Sequence, residues 1–360
     1  MSLSSLPPEV KLHIIEHLDP IPALHFALAC KQHLDLVKKH LELFARYHTI
    51  KPSSDGFCIW DLTKEILQDP RKGWYVRELN LVADRPECHE NLPEEDKALF
   101  KAAAEKILPL YCHESSFFVE KGPLDDLQQS LSRLDVWTEE AAVLVLLLHH
   151  VPELRIFRMT DTSTHDSLQA FMRRVAEGYQ NPALAAKMPL QQLRTAAIAH
   201  YDTEFSCDID WAVYFMCVPS LRTFAAFMMG SEDAGQFYTG EDDGIHDDPS
   251  GVSYLRNTAT TPVSNVEELV FTQCQFDPQS FNTLLPMIKN LKSFSYDAGG
   301  SIVSYADYHG RKVIKALANH ASHSLEELEL TECETGFEVR LTPYTTLRVE
   351  RANNRIPKER

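Results

Sequence analysis

One phrase returns along most of this chain. It consists of a helix-compatible stretch, a break at Pro, Asn or Ser, and then aliphatic residues at the first, fourth and sixth positions of a short segment. The instances are Val76/Leu79/Leu81, Leu154/Phe157/Met159, Leu190/Leu193 with Thr195, Leu221/Phe224/Ala226, Val266/Leu269/Phe271, Leu291/Phe294/Tyr296 and Leu325/Leu328/Leu330. Side chains alternate across a strand, so the fourth and sixth residues share one face and their neighbours share the other. A unit this small cannot bury its apolar face alone, and stacking such units into one continuous core is the economical solution. Helices are expected ahead of the strands at Glu139 to His150, Ile209 to Val218, Phe281 to Ile288 and Val313 to His320. The long stretch between Val76 and Leu154 has room for one or two further units.

The unit VEELVFTQCQF adds a Cys at its ninth position, Cys274, and an apolar Phe276 at its eleventh, and Cys333 takes the ninth place in LEELELTEC. With its irregular spacing, the series resembles degenerate leucine-rich repeats, in which the ninth residue satisfies backbone groups at a turn. The expectation is an α/β chain whose residues 76–341 form an irregular solenoid. Residues flanking the inward pair would then line its concave face. In the first units these are Glu78, Asn80, Arg158, Thr160 and Arg194, and in the later ones Glu268, Thr272, Ser293, Ser295, Glu327 and Glu329. A set rich in carboxylates and hydroxyls suits a basic or polar protein surface.

The first forty residues carry a second pattern. Pro7 and Pro8 suit a first helical turn, where amides lack partners, and Glu9 lies at the positive end of the dipole. Val10, Ile14 and Leu18, with Ile15 beside them, form an apolar stripe at helical spacing. Asp19-Pro20 ends this helix, a second helix carries Leu24, Ala27, Leu28 and Cys30, and a short third one holds Leu34, Val37 and Leu41. The string LPPEVKLHIIEHLDPIPALHFALACK resembles the F-box pattern: Leu-Pro-x-Glu-aliphatic, an aliphatic helix, Leu-Asp-Pro, then Leu-x-x-Ala-Leu-x-Cys-Lys. Two departures stand out. Pro22 holds a place usually polar or acidic, and Gln32, His33 and Leu34 stand where an aromatic often follows the basic position.

The resemblance implies a three-helix module over residues 4–45 that docks on the linker subunit of an SCF-type ubiquitin ligase. It nominates Leu6, Pro7, Pro8, Val10, Ile14, Leu18, Leu24 and Leu28 as docking residues. A short F-box followed by poorly conforming repeats resembles the fungal-type F-box/leucine-rich-repeat family. That likeness implies a substrate adaptor, with a protein substrate of unknown identity on the repeats. The alternative is a repeat scaffold not coupled to ubiquitination. Residues 46–75 read as a linker with a connecting helix, and 342–360 as a basic, disordered tail.

Composition argues against other classes. The net charge is −17, with basic residues gathered at Arg340, Arg348, Arg351, Arg355, Lys358 and Arg360, so nucleic acid is not an expected partner. The longest apolar run, Ala141 to Leu148, is far shorter than a bilayer span, so no membrane partner is expected either. Eight scattered cysteines without a CxxC pair, and no signal pattern, imply reduced thiols and a cytoplasmic or nuclear location. Cys88-His89 and Cys112-His113 do not make a zinc set, because adjacent ligands rarely converge on one ion. The acidic run Glu241-Asp242-Asp243-Gly244 lacks the carboxylates a calcium loop needs, and Ser231 to Gly251 reads as an exposed loop. No GxSxG, HExxH or Gly-rich phosphate loop is present, and Cys58 and Cys207 have no identifiable catalytic partner. No enzyme activity, cofactor or metal is expected.

Overall fold

Helix α1 (Pro8–Glu16) starts on Pro7 and Pro8, with Glu9 in its first turn and Lys11 N–H bonded to the Pro7 carbonyl at 3.1 Å. The computed structural model describes residues 5–18, 20–29, 31–51, 59–81, 93–111, 140–160, 166–200, 206–231, 263–299, 310–332, 337–341 and 348–351. Helix α2 (Pro20–Ala29) opens on Pro20 with Pro22 two residues on. Both prolines fall among the first-turn amides that have no partner within the helix, so the departure at Pro22 costs no hydrogen bond. Helix α3 (Lys31–Tyr47) is much longer than the short segment expected there. The three helices enclose a small core of Ile15, Ala23, Phe26, Ala27 and Val37, with Leu18, Leu36 and Leu41 packed on it. The last turns of α3 leave that core: Phe44 and Tyr47 belong to the large core of the rest of the chain. The expected module boundary at residue 45 therefore falls inside one continuous helix.

From α3 the chain passes directly into β1 (Thr49–Ile50), the first strand of a ten-stranded sheet. After it come α4 (Ile59–Gln68), a 3-10 turn at Pro70–Tyr75, β2 (Glu78–Leu81), α5 (Glu94–Ile107), α6 (Glu140–His150), β3 (Ile156–Thr160), α7 (Asp166–Gln180) and β4 (Thr195–Ala199). The chain continues through β5 (Cys207–Asp208), α8 (Asp210–Met216), β6 (Thr223–Phe227), β7 (Met229–Gly230), β8 (Glu268–Cys274), α9 (Pro278–Leu284), β9 (Ser293–Ala298), α10 (Gly310–His320) and β10 (Glu327–Glu332). The main sheet takes these strands in chain order, β1-β2-β3-β4-β6-β8-β9-β10, all parallel, while β5 and β7 form a separate pair. Helices form the covering layer: α6 packs on α4, α5 and α7, α7 on α8, and α9 on α10.

The strand register aligns the phrase read from sequence. Leu79, Phe157, Ala196, Phe224, Leu269, Phe294 and Leu328 pair across neighbouring strands in one row. Two residues on, Leu81, Met159, Ile198, Ala226, Phe271, Tyr296 and Leu330 form a second row. The first row is buried throughout, and in the second only Leu81 is partly open. Beneath the sheet the rings of Phe157, Phe215, Phe224, Phe271 and Phe294 follow one another at centroid separations of 6.0–6.3 Å. The strand starts repeat too. Arg155 and Ile156 both donate to the Arg77 carbonyl, Arg194 and Thr195 to Arg155, Arg222 and Thr223 to Arg194, and the pattern continues to Glu326 and Glu327 on Lys292.

Several expectations change. The third phrase was set on Leu190, Leu193 and Thr195, yet Ala196 pairs with Phe157, so its first, fourth and sixth residues are Leu193, Ala196 and Ile198. Because β2 pairs directly with β3, no further strand is inserted between them, and α5 occupies part of that interval. Helix α7 was not foreseen. At the far end β11 (Phe337–Leu341) pairs antiparallel with β10, and β12 (Arg348–Arg351) antiparallel with β11. Part of the stretch expected to be a disordered tail is thus a strand, and this hairpin closes the parallel series. The Ser231 to Gly251 loop apart from Ser231, the Cys-His pairs, Cys58, Cys333 and the acidic run lie outside the described residues. Among the described residues no helix is long and apolar enough to cross a membrane, and no three His, Cys, Asp or Glu side chains are grouped to hold a metal.

Candidate docking surfaces

Helix α2 is apolar on nearly every side, a composition that normally belongs to a buried helix. Ala23, Phe26 and Ala27 point into the small core, leaving Ile21, Leu24 and Leu28 on the outer stripe at 68%, 44% and 74% exposure. Val10 of α1 and Leu34 of α3 are exposed as well, at 42% and 52%. Leu34 occupies the stretch where the sequence pattern lacked its aromatic, so an apolar group is still presented there. Pro7 and Pro8 are exposed, Leu6 and Ile14 half-buried. Leu18 differs: it packs on the small core and spends its side chain inward. Ile21 and Leu34 were not among the residues nominated from sequence, although Ile21 could have been found from its spacing of three and seven to Leu24 and Leu28. Large apolar side chains gathered on one small module, with no cover from the described residues, are the mark of a partner surface.

Residues 3–43 match the F-box domain. The N-terminal helices of this chain therefore match an F-box domain, and the mixed helix-and-strand body follows them. No curated protein matches the chain. F-box domains generally bind the linker subunit of SCF ubiquitin ligases.

The second candidate surface is the sheet face opposite the helices. The row one residue before the buried pair contains Glu78, Ile156, Thr195, Thr223, Glu268, Ser293 and Glu327. The next row on that face contains Asn80, Arg158, Ala197, Ala225, Val270, Ser295 and Glu329. Ten of the eleven residues nominated from sequence lie on this face. The exception is Arg194: with the frame corrected it sits at the strand start in line with Arg77, Arg155 and Arg222, and Thr195 and Ala197 take the face positions of that unit. Arg158 is ion-paired to Glu78 between β3 and β2. Thr160 is half-buried, with its hydroxyl oxygen enclosed and lacking a hydrogen-bond partner among the described residues.

Toward the other end the face becomes acidic. Thr223 donates to Glu268 at 3.0 Å, Ser293 to Glu327 and Ser295 to Glu329 at 3.4 Å each, and Thr331 to Asp297 at 2.8 Å. Hydroxyls orient these carboxylates without neutralising them. Ala197, Ala225, Val270 and Phe227 leave the middle of the face apolar. At the strand starts, Lys292 bonds Glu267 at 2.5 Å and holds its carboxyl below the usual carboxylate range.

Cys274 does the work its ninth position suggested. Its sulfur lies 3.4 Å from the Met229 N–H and 3.4 Å from the Thr272 carbonyl, and burial pushes the thiol up to about 12. The preceding residue, Gln273, has φ 52°, and Met228 at the equivalent place in the unit before has φ 56°. Two consecutive units thus leave their strands through the same left-handed turn, an arrangement uncommon for non-glycine residues. Cys207 is buried among apolar groups, which suits a packing role.

Proposed function

We propose that this chain is the substrate-recognition adaptor of an SCF-type cullin-RING ubiquitin ligase. The observation that carries the reading is the outward Ile21/Leu24/Leu28 stripe on a module matching the F-box domain. In this reading Leu6, Pro7, Pro8, Val10, Ile14, Ile21, Leu24, Leu28 and Leu34 meet the linker subunit, while Leu18 supports them from the small core.

The body then acts as a degenerate leucine-rich-repeat solenoid whose open sheet face holds the substrate. Support comes from the chain-order parallel strands, the two in-register apolar rows, the repeated two-amide bonds at the strand starts and the shared turns at Met228 and Gln273. The acidic strands β8 to β10 favour a substrate segment with basic side chains. The chain performs no chemistry and needs no cofactor; it raises the effective concentration of a substrate beside the ubiquitin-loaded enzyme. It works in the cytoplasm or nucleus, with neither nucleic acid nor membrane as a partner.

Co-purification of the full chain with the linker subunit tests the reading. Capture that is lost on Leu6→Ala with Pro7→Ala supports the adaptor. An intact chain that captures no linker subunit leaves a free-standing interaction scaffold instead.

A further inference from the structure

A groove of about 620 Å³ lies where α1 and α3 face the turn from Asp69 to Tyr75. It is distinct from the F-box stripe. Leu12 lines it, and at 100° per residue Leu12 projects from the opposite flank of α1 to Val10 and Ile14. Leu12, Ile15, Leu36 and Leu43 give it apolar walls, and Trp74 stands at its edge 45% exposed. His17 continues the aromatic wall, 5.8 Å from the Trp74 ring.

The charges around these walls run against the rest of the molecule. Lys39, Arg71 and Lys72 line the groove with a single carboxylate, Asp69, in a chain of net charge −17. Arg71 already holds Asp69 at 3.0 Å, and Lys72 holds Glu65 at 3.1 Å. Lys39 is exposed and has no ion pair among the described residues.

The wall bearing Trp74 is preformed. A Cβ on Gly73 would stand 1.9 Å from the His150 carbonyl oxygen, so the turn lies flush against the end of α6. Tyr75 bonds His40 at 3.0 Å, and the Asp69 side chain caps the turn through Arg71 N–H at 3.3 Å. An apolar, pre-organised cleft with a few convergent polar groups, between two packed units, is the usual setting of a small-ligand site. Its volume falls in the roughly 300–1,000 Å³ range of such sites.

We propose that this groove binds a small organic anion, with an aromatic body against Trp74 and Leu12 and the anionic group on Lys39. The ligand would bridge the F-box helices and the sheet body without touching either proposed protein-binding face. The proposal is independent of the adaptor reading, and linker-subunit capture is measured separately.

The test uses the full chain and two probes of nearly equal shape, anilinonaphthalene sulfonate and the uncharged N-phenyl-1-naphthylamine, followed by probe emission and tryptophan quenching. The sulfonate is expected to saturate at one per chain and to bind tighter than the neutral probe. Lys39→Glu should weaken it about tenfold, an attractive contact being replaced by repulsion. Lys315→Glu on α10 should leave it unchanged, and Trp74→Phe should remove most of the quenching while retaining the fold. Circular dichroism and an unchanged thermal midpoint show that Lys39→Glu is folded. Equal affinity for both probes, or no effect of Lys39→Glu, overturns the proposal. So does displacement of the sulfonate by an acidic hexapeptide at lower concentration than by an aromatic carboxylate, which assigns the groove to a polypeptide.

Discussion

Val37 and Phe44 lie two turns apart on α3, both almost fully buried, and they belong to different cores. Val37 packs among the F-box helices. Phe44 packs edge-on to Tyr75 at 4.9 Å, with the Arg77 guanidinium over its ring at 5.4 Å. The helix is thus a strut that fixes the docking module to the first strands of the sheet, and the angle between the two proposed binding faces is a property of packing.

Phe44→Ala empties that joint. The expected cost is about 3–5 kcal/mol, the range for a buried Phe truncated to Ala. In urea unfolding followed by both helix signal and tryptophan emission, the midpoint should fall markedly. If only the helix signal shifts and the emission transition stays put, the joint is not shared.

The turn carrying Trp74 depends on Gly73 for its seat against α6. Gly73→Ala must push the turn away from the His150 carbonyl, with about 1–3 kcal/mol lost to overpacking. The exposed Trp74 reports the shift through tryptophan emission, and an unchanged denaturation midpoint contradicts the fit described.

His149 gives the body a pH dependence. Burial, assisted by neighbouring His150, pushes its imidazole down to about 3, and the neutral ring is bonded to the Tyr111 hydroxyl. An unfolded histidine titrates near 6.5, so between these values the unfolded chain binds the extra proton. The stabilising contribution is complete above pH ~6.5 and is lost as pH falls toward 3, at up to about 1.4 kcal/mol per pH unit. Urea midpoints at pH ~7, ~6 and ~5 should drop more steeply for the parent than for His149→Gln. Parallel slopes contradict the assignment.

Much of the body was legible because its apolar residues keep a strict spacing, as in Val266, Leu269 and Phe271 followed by Cys274. The frame slipped at Leu190 because Leu193 stands three residues later, imitating a first and fourth position, while the real fourth position is held by Ala196. Leu190 instead occupies a turn at φ 66° and accepts the Leu193 amide. Helix α7 was readable in principle, since Leu168, Phe171, Met172, Val175 and Ala176 follow helical spacing and are all buried. The hairpin of β11 and β12 was not: its strands are Arg- and Glu-rich, and pairing with the neighbour decides them. On the F-box helices the pattern names residues of the module, but only packing shows which are turned inward, as Leu18 is, and which, like Ile21, face out.

The account stands most directly on the binding of the purified linker subunit to the full chain, measured by titration calorimetry for the parent and for Leu24→Glu with Leu28→Glu. Both leucines are exposed, so the double variant should keep its thermal midpoint. The parent is expected to bind one linker subunit per chain, and the variant at least about thirtyfold more weakly, as when central apolar anchors are lost. A parent that does not bind, or a variant that binds as tightly as the parent, contradicts the account.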